Sequence, residues 1–131
     1  MIKKQFTLYL ANKPGALARV TKALAAARVN IEGISVAETT DVGLVQVVVD
    51  NAASAKQTLQ RHKVPFTEQE VAVLALPNRP GALARATSRL ARAGINLNYL
   101  YCTVPEATSG EPLVVVSGPN LRRIEKLWRQ P

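Results

Sequence analysis

A 24-residue segment occurs twice in this chain of 131 residues, and this duplication restricts the possible folds more than any other feature. Residues 12–35 and 78–101 are identical at 12 of 24 aligned positions, six of them consecutive. The copies begin 66 residues apart, whereas a solenoid unit repeats at about 20–50 residues. The sequence therefore predicts two copies of one small domain, spanning residues 1–70 and 71–131.

The first copy alternates between strand and helix patterns. Phe6, Leu8 and Leu10 recur at every second position, which is typical of a strand with one buried face. After a break at residues 12–15, apolar residues recur every three or four positions, as in an amphipathic helix; they are Leu17, Val20, Leu24 and Ala27. Two strands, a helix and a fourth strand are predicted to follow. The order βαββαβ predicts an α+β, ferredoxin-like module, an antiparallel sheet with helices on one face.

The second copy follows the same order but stops before its last strand. A strand is predicted over residues 95–104, a loop over 105–110 and a final helix over 119–129. An uncovered strand edge favours aggregation. We expect the first copy's tail, a neighbouring domain or a second subunit to cover it. No clear turn interrupts residues 64–76, so the sequence also allows one strand that the two copies share or exchange.

The composition argues against several classes of protein. No apolar run reaches the about 18 residues of a membrane span, and no signal-peptide pattern follows the N-terminal lysines, so we expect a cytoplasmic protein. A single cysteine, Cys102, cannot form an internal disulfide or a thiolate zinc site, and we expect no metal and no cofactor. His62 and Cys102 lie in different copies and the acidic residues form no catalytic cluster, so we expect no enzyme activity.

The segment Asn-x-Pro-Gly-Ala-Leu joins a strand to a helix in both copies and is the candidate binding site. Asparagine suits a helix N-cap and proline suits the first helical turn, so the sequence predicts caps at Asn12 and Asn78. Gly15 and Gly81 let a ligand approach the backbone closely. Unpaired N–H groups at a helix start favour an anion such as a carboxylate.

A second asparagine, Asn30 or Asn96, follows the first by 18 residues and opens the next strand, which we expect beside the same turn. The pattern Asn-x-Pro-Gly-x-Leu, a helix and then this asparagine resembles the ACT domain, a βαββαβ regulatory module of amino-acid metabolism. Such domains occur in phosphoglycerate dehydrogenase and aspartate kinase. The resemblance covers almost the whole chain and is greatest to small stand-alone pairs of ACT domains. It implies a non-catalytic regulatory protein that senses an amino acid where paired ACT domains meet.

The resemblance also implies which residues bind the ligand, because ACT domains use the strand-to-helix turn and the start of the second strand. The implied positions are Asn12, Gly15, Ala16, Leu17 and Asn30, and Asn78, Gly81, Ala82, Leu83 and Asn96. The serine-binding member of the family has a histidine just ahead of the turn. Leu10 and Leu76 stand there in this chain, which implies a ligand with an aliphatic or aromatic side chain.

Two other functions are left open by the sequence. The same topology serves RNA recognition and the net charge is +8, but such modules stack bases on aromatic residues, and only Tyr99 and Tyr101 share a face. We therefore expect no nucleic-acid partner, and we interpret the helical arginines 85, 89 and 92 as a solvated face. The other alternative is a module that docks on a metabolic enzyme or dimerises without a ligand. The missing strand favours a homodimer.

Overall fold

The computed structural model describes residues 1–39, 41–103 and 112–129. In chain order, the helices and strands of this part are β1 (Ile2–Ala11), α1 (Ala16–Ala26), β2 (Ile31–Glu38), β3 (Val42–Val49), α2 (Ala52–Arg61), β4 (Phe66–Ala75), α3 (Ala82–Arg92), β5 (Tyr99–Cys102), β6 (Leu113–Ser117) and α4 (Leu121–Trp128). The strand pairs β1–β3, β2–β3, β4–β6 and β5–β6 are antiparallel. The predicted α+β class and the tandem of ferredoxin-like modules are confirmed.

The first unit, Lys4–Gln69, contains a complete βαββαβ module. Its strands lie in the order β2-β3-β1-β4, and Leu8 of β1 lies opposite Val45 of β3. Alternate strand residues and the apolar stripes of both helices form one core; its members are Phe6, Leu8, Leu10, Val20, Leu24, Val29, Val45, Val47, Val49, Ala55, Leu59 and Val64. Leu17, predicted on the apolar stripe of α1, is instead 36% exposed.

The second unit combines Glu70–Pro131 with Met1–Lys3. Its strands β4, β6 and β5 lie side by side in that order. The core is aliphatic apart from one tryptophan; its members are Ala72, Leu74, Ala86, Leu90, Val114, Val116, Ile124 and Trp128. The indole N–H of Trp128 donates to the Ala75 carbonyl at 2.8 Å, which fixes the ring against β4.

Strand β4 is divided between the two units. It runs without a break over ten residues, of which 66–69 belong to the first unit and the rest to the second. The sequence predicts separate strands over 64–70 and 71–76, and this division is wrong. Because no turn signal separates the two segments, the sequence also allowed one strand shared by both copies. That alternative is confirmed.

The N-terminal residues cover the edge of β4 at which the last strand of a βαββαβ module is expected to pair. Among the described residues, no strand follows α4. The Met1 carbonyl accepts from the Val73 N–H at 2.7 Å, and the Met1 amino group donates to the Val73 carbonyl at 3.0 Å. The same amino group forms an ion pair with Glu125. The start of the first copy, rather than its tail, therefore pairs with β4 of the second unit.

The strand predicted over residues 95–104 is shorter in the structure. Gly94, with φ 73°, follows α3, and the Ile95 N–H still donates to the Leu90 carbonyl at 2.9 Å. These helix-ending contacts delay β5 until Tyr99. The predicted loop over 105–110 lies outside the described residues.

No helix in the described part of the chain is long and apolar enough to cross a membrane.

Candidate functional site

The two Asn-x-Pro-Gly segments fold into the same turn. In the first, the Lys13 N–H donates to the Ala11 carbonyl at 2.9 Å and the Ala16 N–H to the Lys13 carbonyl at 3.3 Å; the matching bonds of the second turn have the same lengths. Gly15 and Gly81 have φ values of 89° and 86°. A side chain is strained in this left-handed region, so the turn requires glycine at both positions.

The predicted asparagine caps are wrong. Gly15 and Gly81 occupy the N-cap positions of α1 and α3, and neither helix has a side-chain cap. Because a glycine takes the cap position, Asn12 and Asn78 lie outside the helices and are available for other contacts. The first N–H groups of each helix receive no capping side chain, so they favour an acceptor in front of the turn.

The second turn lines a cavity of about 400 Å³, called the turn cavity below. Its walls come from the turn, the start of α3 and the end of β5; the lining residues are Leu76, Pro77, Asn78, Arg79, Gly81, Ala82, Leu83, Ala84, Cys102, Thr103 and Pro112. The structure thus brings together Asn78, Gly81, Ala82 and Leu83 of the predicted set. Asn96 is not among the lining residues. The volume is within the usual range of small-ligand sites.

The turn cavity combines an apolar wall with a few polar groups. Leu76, Leu83 and Pro112 provide apolar surface, and Arg79 is the one charged residue among the described lining. The Asn78 carboxamide has no hydrogen-bond partner among the described residues. An unpaired amide, a cation and a helix N-terminus suit a carboxylate, and the apolar wall suits a hydrocarbon side chain.

The first turn has the same backbone but its asparagine is engaged. Asn12 Nδ2 donates to Glu38 Oε2 at 3.1 Å, which connects the turn to the end of β2. Gly15 and Ala16 line a cavity of about 450 Å³ that extends towards the start of β4. Asn12 and Leu17 are not among its lining residues. Of the first predicted set, the structure therefore brings two residues into one cavity.

Asn30 and Asn96 do not lie beside the turns of their own units. β1 and β2 are both antiparallel to β3 and so run parallel, which places the end of β2 at the turn and its start at the opposite edge. At that opposite edge the Asn30 N–H donates to Asp50 Oδ1 at 2.9 Å. Asn96 likewise precedes β5. The expected adjacency is wrong within each unit, and a binding role for these two asparagines stays a prediction.

Sequence reasoning missed the residues at the ends of the second strands. Glu38 ends β2 and contacts the first turn, while Cys102 and Thr103 end β5 and line the turn cavity. The order of elements contained the signal, because a strand–helix–strand unit joins parallel strands whose carboxyl ends lie at one edge of the sheet. That rule selects the end of the second strand rather than its start.

Tyr99 and Tyr101 stack on each other in β5, with ring centroids 6.5 Å apart and planes at 14°. Burial, with a smaller contribution from the charge of Tyr99, raises the pKa of Tyr101 well above its usual range. Both tyrosines are half-buried, which reduces the aromatic surface that they present to a ligand. In the described part of the chain no group of three or more His, Cys, Asp or Glu residues could hold a metal ion.

Comparisons with known proteins agree with this architecture. A family model described as an ACT domain pair matches residues 1–120. The solved structure of protein BT0572 from Bacteroides thetaiotaomicron is similar over 97% of this chain and 86% of that one, with 28% identity and a TM-score of 0.87. The ligand-free regulatory subunit of aspartate kinase from Thermus thermophilus is similar over 99% and 94%, with 18% identity and a TM-score of 0.70. No curated protein matches the chain.

A longer protein shows the same fold within a larger chain. Aspartate kinase from Clostridium acetobutylicum matches 98% of this chain with 32% of its own, at 11% identity and a TM-score of 0.59. At these identities the two kinase structures establish a shared fold. The family model covers every described helix and strand except α4. The chain therefore belongs to the family of ACT domain pairs.

Proposed function

We propose that this protein is a non-catalytic regulatory protein that binds an amino acid in the turn cavity of its second unit. The main support is the turn cavity itself, where the unpaired Asn78 carboxamide lies among residues that begin α3. The N–H groups of α3 and the charge of Arg79 favour the carboxylate of the ligand. Leu76 and Leu83 favour an aliphatic side chain over a polar one.

The first turn is proposed as the weaker of the two sites. Its candidate residues are Asn12, Gly15, Ala16, Leu17 and Asn30. A ligand there competes with Glu38 for the Asn12 amide, since that amide already donates to the carboxylate at 3.1 Å. Replacing an existing hydrogen bond gains less free energy than satisfying an unpaired group.

We further propose a homodimer formed through β2, acting in the cytoplasm on a partner metabolic enzyme. β2 lies at the end of the strand order of the first unit, and Ile34 and Val36 on it are 40% and 55% exposed. An edge strand with exposed apolar residues readily pairs with another chain. Light scattering after size-exclusion chromatography should give a dimer mass for the native protein and a monomer mass for Val36→Lys. A monomeric native protein would contradict this part of the proposal.

A thermal-shift screen against the twenty amino acids and several keto acids, at millimolar concentration, tests the ligand. A ligand that binds the native state raises the melting temperature by mass action. We expect the largest shifts with aliphatic amino acids. Asn78→Ala and Gly81→Asp should reduce them, because both changes alter the lining of the turn cavity. Gly94→Asp is the matched control, since Gly94 also has a positive φ but does not line the cavity.

The outcomes separate the candidate functions. An unchanged shift in Asn78→Ala and Gly81→Asp would place the ligand elsewhere. The absence of any shift, in a protein that melts cooperatively, would exclude amino-acid sensing at these concentrations and favour docking on a partner without a ligand.

A further inference from the structure

Each unit contains a cavity lined by three or four positive side chains, and we propose that these two cavities bind small multiply charged anions through a phosphate group. This function is additional to the proposed amino-acid site. The first basic cavity, of about 450 Å³, lies between the end of β1, the start of α1 and residues 63–65. The second basic cavity, of about 260 Å³, lies between the end of β4, α3 and the end of α4.

The two basic cavities are built from matching parts of the repeat. Lys13 and Arg19 line the first, and Arg79 and Arg85 occupy the same repeat positions in the second. A third cation follows the second helix of each unit, Lys63 after α2 and Arg129 after α4. The second cavity has a fourth, Arg89 of α3. No acidic residue is among the described lining of either cavity.

The repeat positions that are basic in both copies all line the two basic cavities. Six positions of the repeated segment carry a basic residue in at least one copy. Two are basic in both copies, and both line the cavities; they are the pairs Lys13/Arg79 and Arg19/Arg85. At the other four pairs one copy is uncharged, and of their cations only Arg89 lines a basic cavity; the pairs are Lys22/Ser88, Ala23/Arg89, Ala26/Arg92 and Arg28/Gly94. A general need for positive charge on these helices does not explain that selection.

Most of the cavity cations have no neutralising partner. Four of their seven side chains form no hydrogen bond or ion pair with a described residue; they are Lys13, Lys63, Arg79 and Arg85. Arg89 donates to the Leu127 and Trp128 carbonyls at 3.0 and 2.9 Å. Arg19 donates one bond, to the His62 carbonyl at 3.1 Å. Arg129 lies 3.4 Å from a Glu125 oxygen and its side chain is 70% exposed. Gathered like charges repel each other, and a bound anion would remove that repulsion.

Phosphate fits this arrangement better than a single carboxylate does. Arginine binds phosphate through two parallel N–H···O bonds, and lysine adds a point charge. The Arg85 Nη1 atom lies 3.0 Å from the position that a Cβ on Gly81 would take, so the guanidinium folds back over the turn. Ala16 and Ala82, the first residues of α1 and α3, also line the cavities and add the favourable field of a helix N-terminus.

Calorimetric titration with inorganic phosphate, at ionic strength held constant with sodium chloride, tests the proposal. The double variant Arg19→Gln with Arg85→Gln should bind phosphate about tenfold more weakly or worse, because it loses a charge-assisted hydrogen bond in each cavity. Lys22→Gln with Arg92→Gln is the matched control, which removes the same charge from the same helices outside the cavities. It should bind phosphate like the native protein.

A parallel titration compares glycerol 3-phosphate with glycerol. Tighter binding of glycerol 3-phosphate than of phosphate would identify an organic phosphate as the ligand, and equal binding would identify free phosphate; glycerol should not bind. If the arginine variant fails to fold, Lys63→Gln with Arg129→Gln removes another cation from each cavity, and neither residue lines the turn cavity.

Two results would overturn the proposal: no saturable phosphate binding by the native protein, or equal weakening in the cavity variant and the matched control. Neither result bears on the amino-acid site in the turn cavity of the second unit, because Arg85 does not line that cavity. The thermal shift with amino acids should therefore persist in the arginine variant.

Discussion

The two turns share a backbone and differ in their surroundings. Gly15 and Gly81 adopt nearly the same φ, and the turn hydrogen bonds have equal lengths. Asn12 donates to Glu38, however, whereas Asn78 has no partner among the described residues. The two copies have kept the same turn backbone, because the positive φ requires glycine in both. Their asparagines have diverged, since Asn12 makes a structural contact and Asn78 is available to a ligand.

The ends of α2 and α4 show the same kind of divergence. Arg19 of α1 donates to the carbonyl of His62, which follows α2. In the second unit Arg89, one helical turn beyond the equivalent Arg85, donates to two carbonyls at the end of α4 at 3.0 and 2.9 Å. In the second unit Arg89, rather than Arg85, therefore contacts the end of the second helix.

The largest expected difference between the units is the effect of replacing Trp128. Trp128 and Leu59 are equivalent, because each lies eight residues after the asparagine that caps the second helix of its unit. Trp128→Ala should lower the free energy of unfolding by about 3–5 kcal/mol, because it opens a cavity and removes the donor to the Ala75 carbonyl. Trp128→Phe should cost less. Urea denaturation measures both, and a loss below about 1 kcal/mol for Trp128→Ala would contradict the structure.

The shared backbone of the turns is tested by Gly15→Ala and Gly81→Ala. Each should lower stability by about 1–2 kcal/mol, because the strain of a positive φ is the same. The amounts should be similar, since a Cβ on Gly81 meets only the end of the flexible Arg85 side chain, at 3.0 Å. Gly43→Ala is the control, since a Cβ there makes only an ordinary contact of 3.7 Å with the Leu10 carbonyl. A glycine substitution that is tolerated in one turn alone would show that the backbones are not equivalent.

The divergence of the asparagines predicts opposite effects for one substitution. Asn12→Ala should lower stability by about 0.5–1 kcal/mol, since the bond to Glu38 is exposed, and leave the amino-acid affinity of the turn cavity unchanged. Asn78→Ala should change stability by less than about 0.5 kcal/mol and weaken amino-acid binding about tenfold. Unfolding and calorimetric titration of both variants give the comparison, and equal effects on binding would remove the distinction between the turns.

The smallest expected effect depends on pH. A hydrogen bond from Lys56 lowers the pKa of Glu68 in the first unit, and one from the Met1 amino group lowers the pKa of Glu125 in the second. Such carboxylates stabilise the fold above their ordinary value of 4.5, and this contribution is lost as the pH falls through the lowered pKa.

Glu68→Gln and Glu125→Gln should therefore lower the melting temperature slightly at about pH 7 and have little effect at about pH 3. Glu70→Gln serves as the control, because the Glu70 side chain forms no ion pair with a described residue. A destabilisation that persists at low pH would show that charge is not its cause.

Local patterns predicted the helices and strands, because the spacing of Val20 and Leu24, or of Phe6 and Leu8, follows the period of each element. The position of Asn12 was mispredicted because its contact, Glu38, is 26 residues away and only the fold brings them together. Four of the turn-cavity residues were predictable from the motif. Cys102 was not, since its place follows from the parallel course of two strands rather than from any local pattern.

The pairing of Met1 with Val73 has a consequence for biosynthesis. These residues are 72 positions apart, so the segment that contains Met1 leaves the ribosome before its partner in β4 has been translated. Contacts between such distant residues form late, because closing a long loop costs entropy before any contact rewards it. The edge of the second module is thus completed by residues that were synthesised before any other part of that module existed.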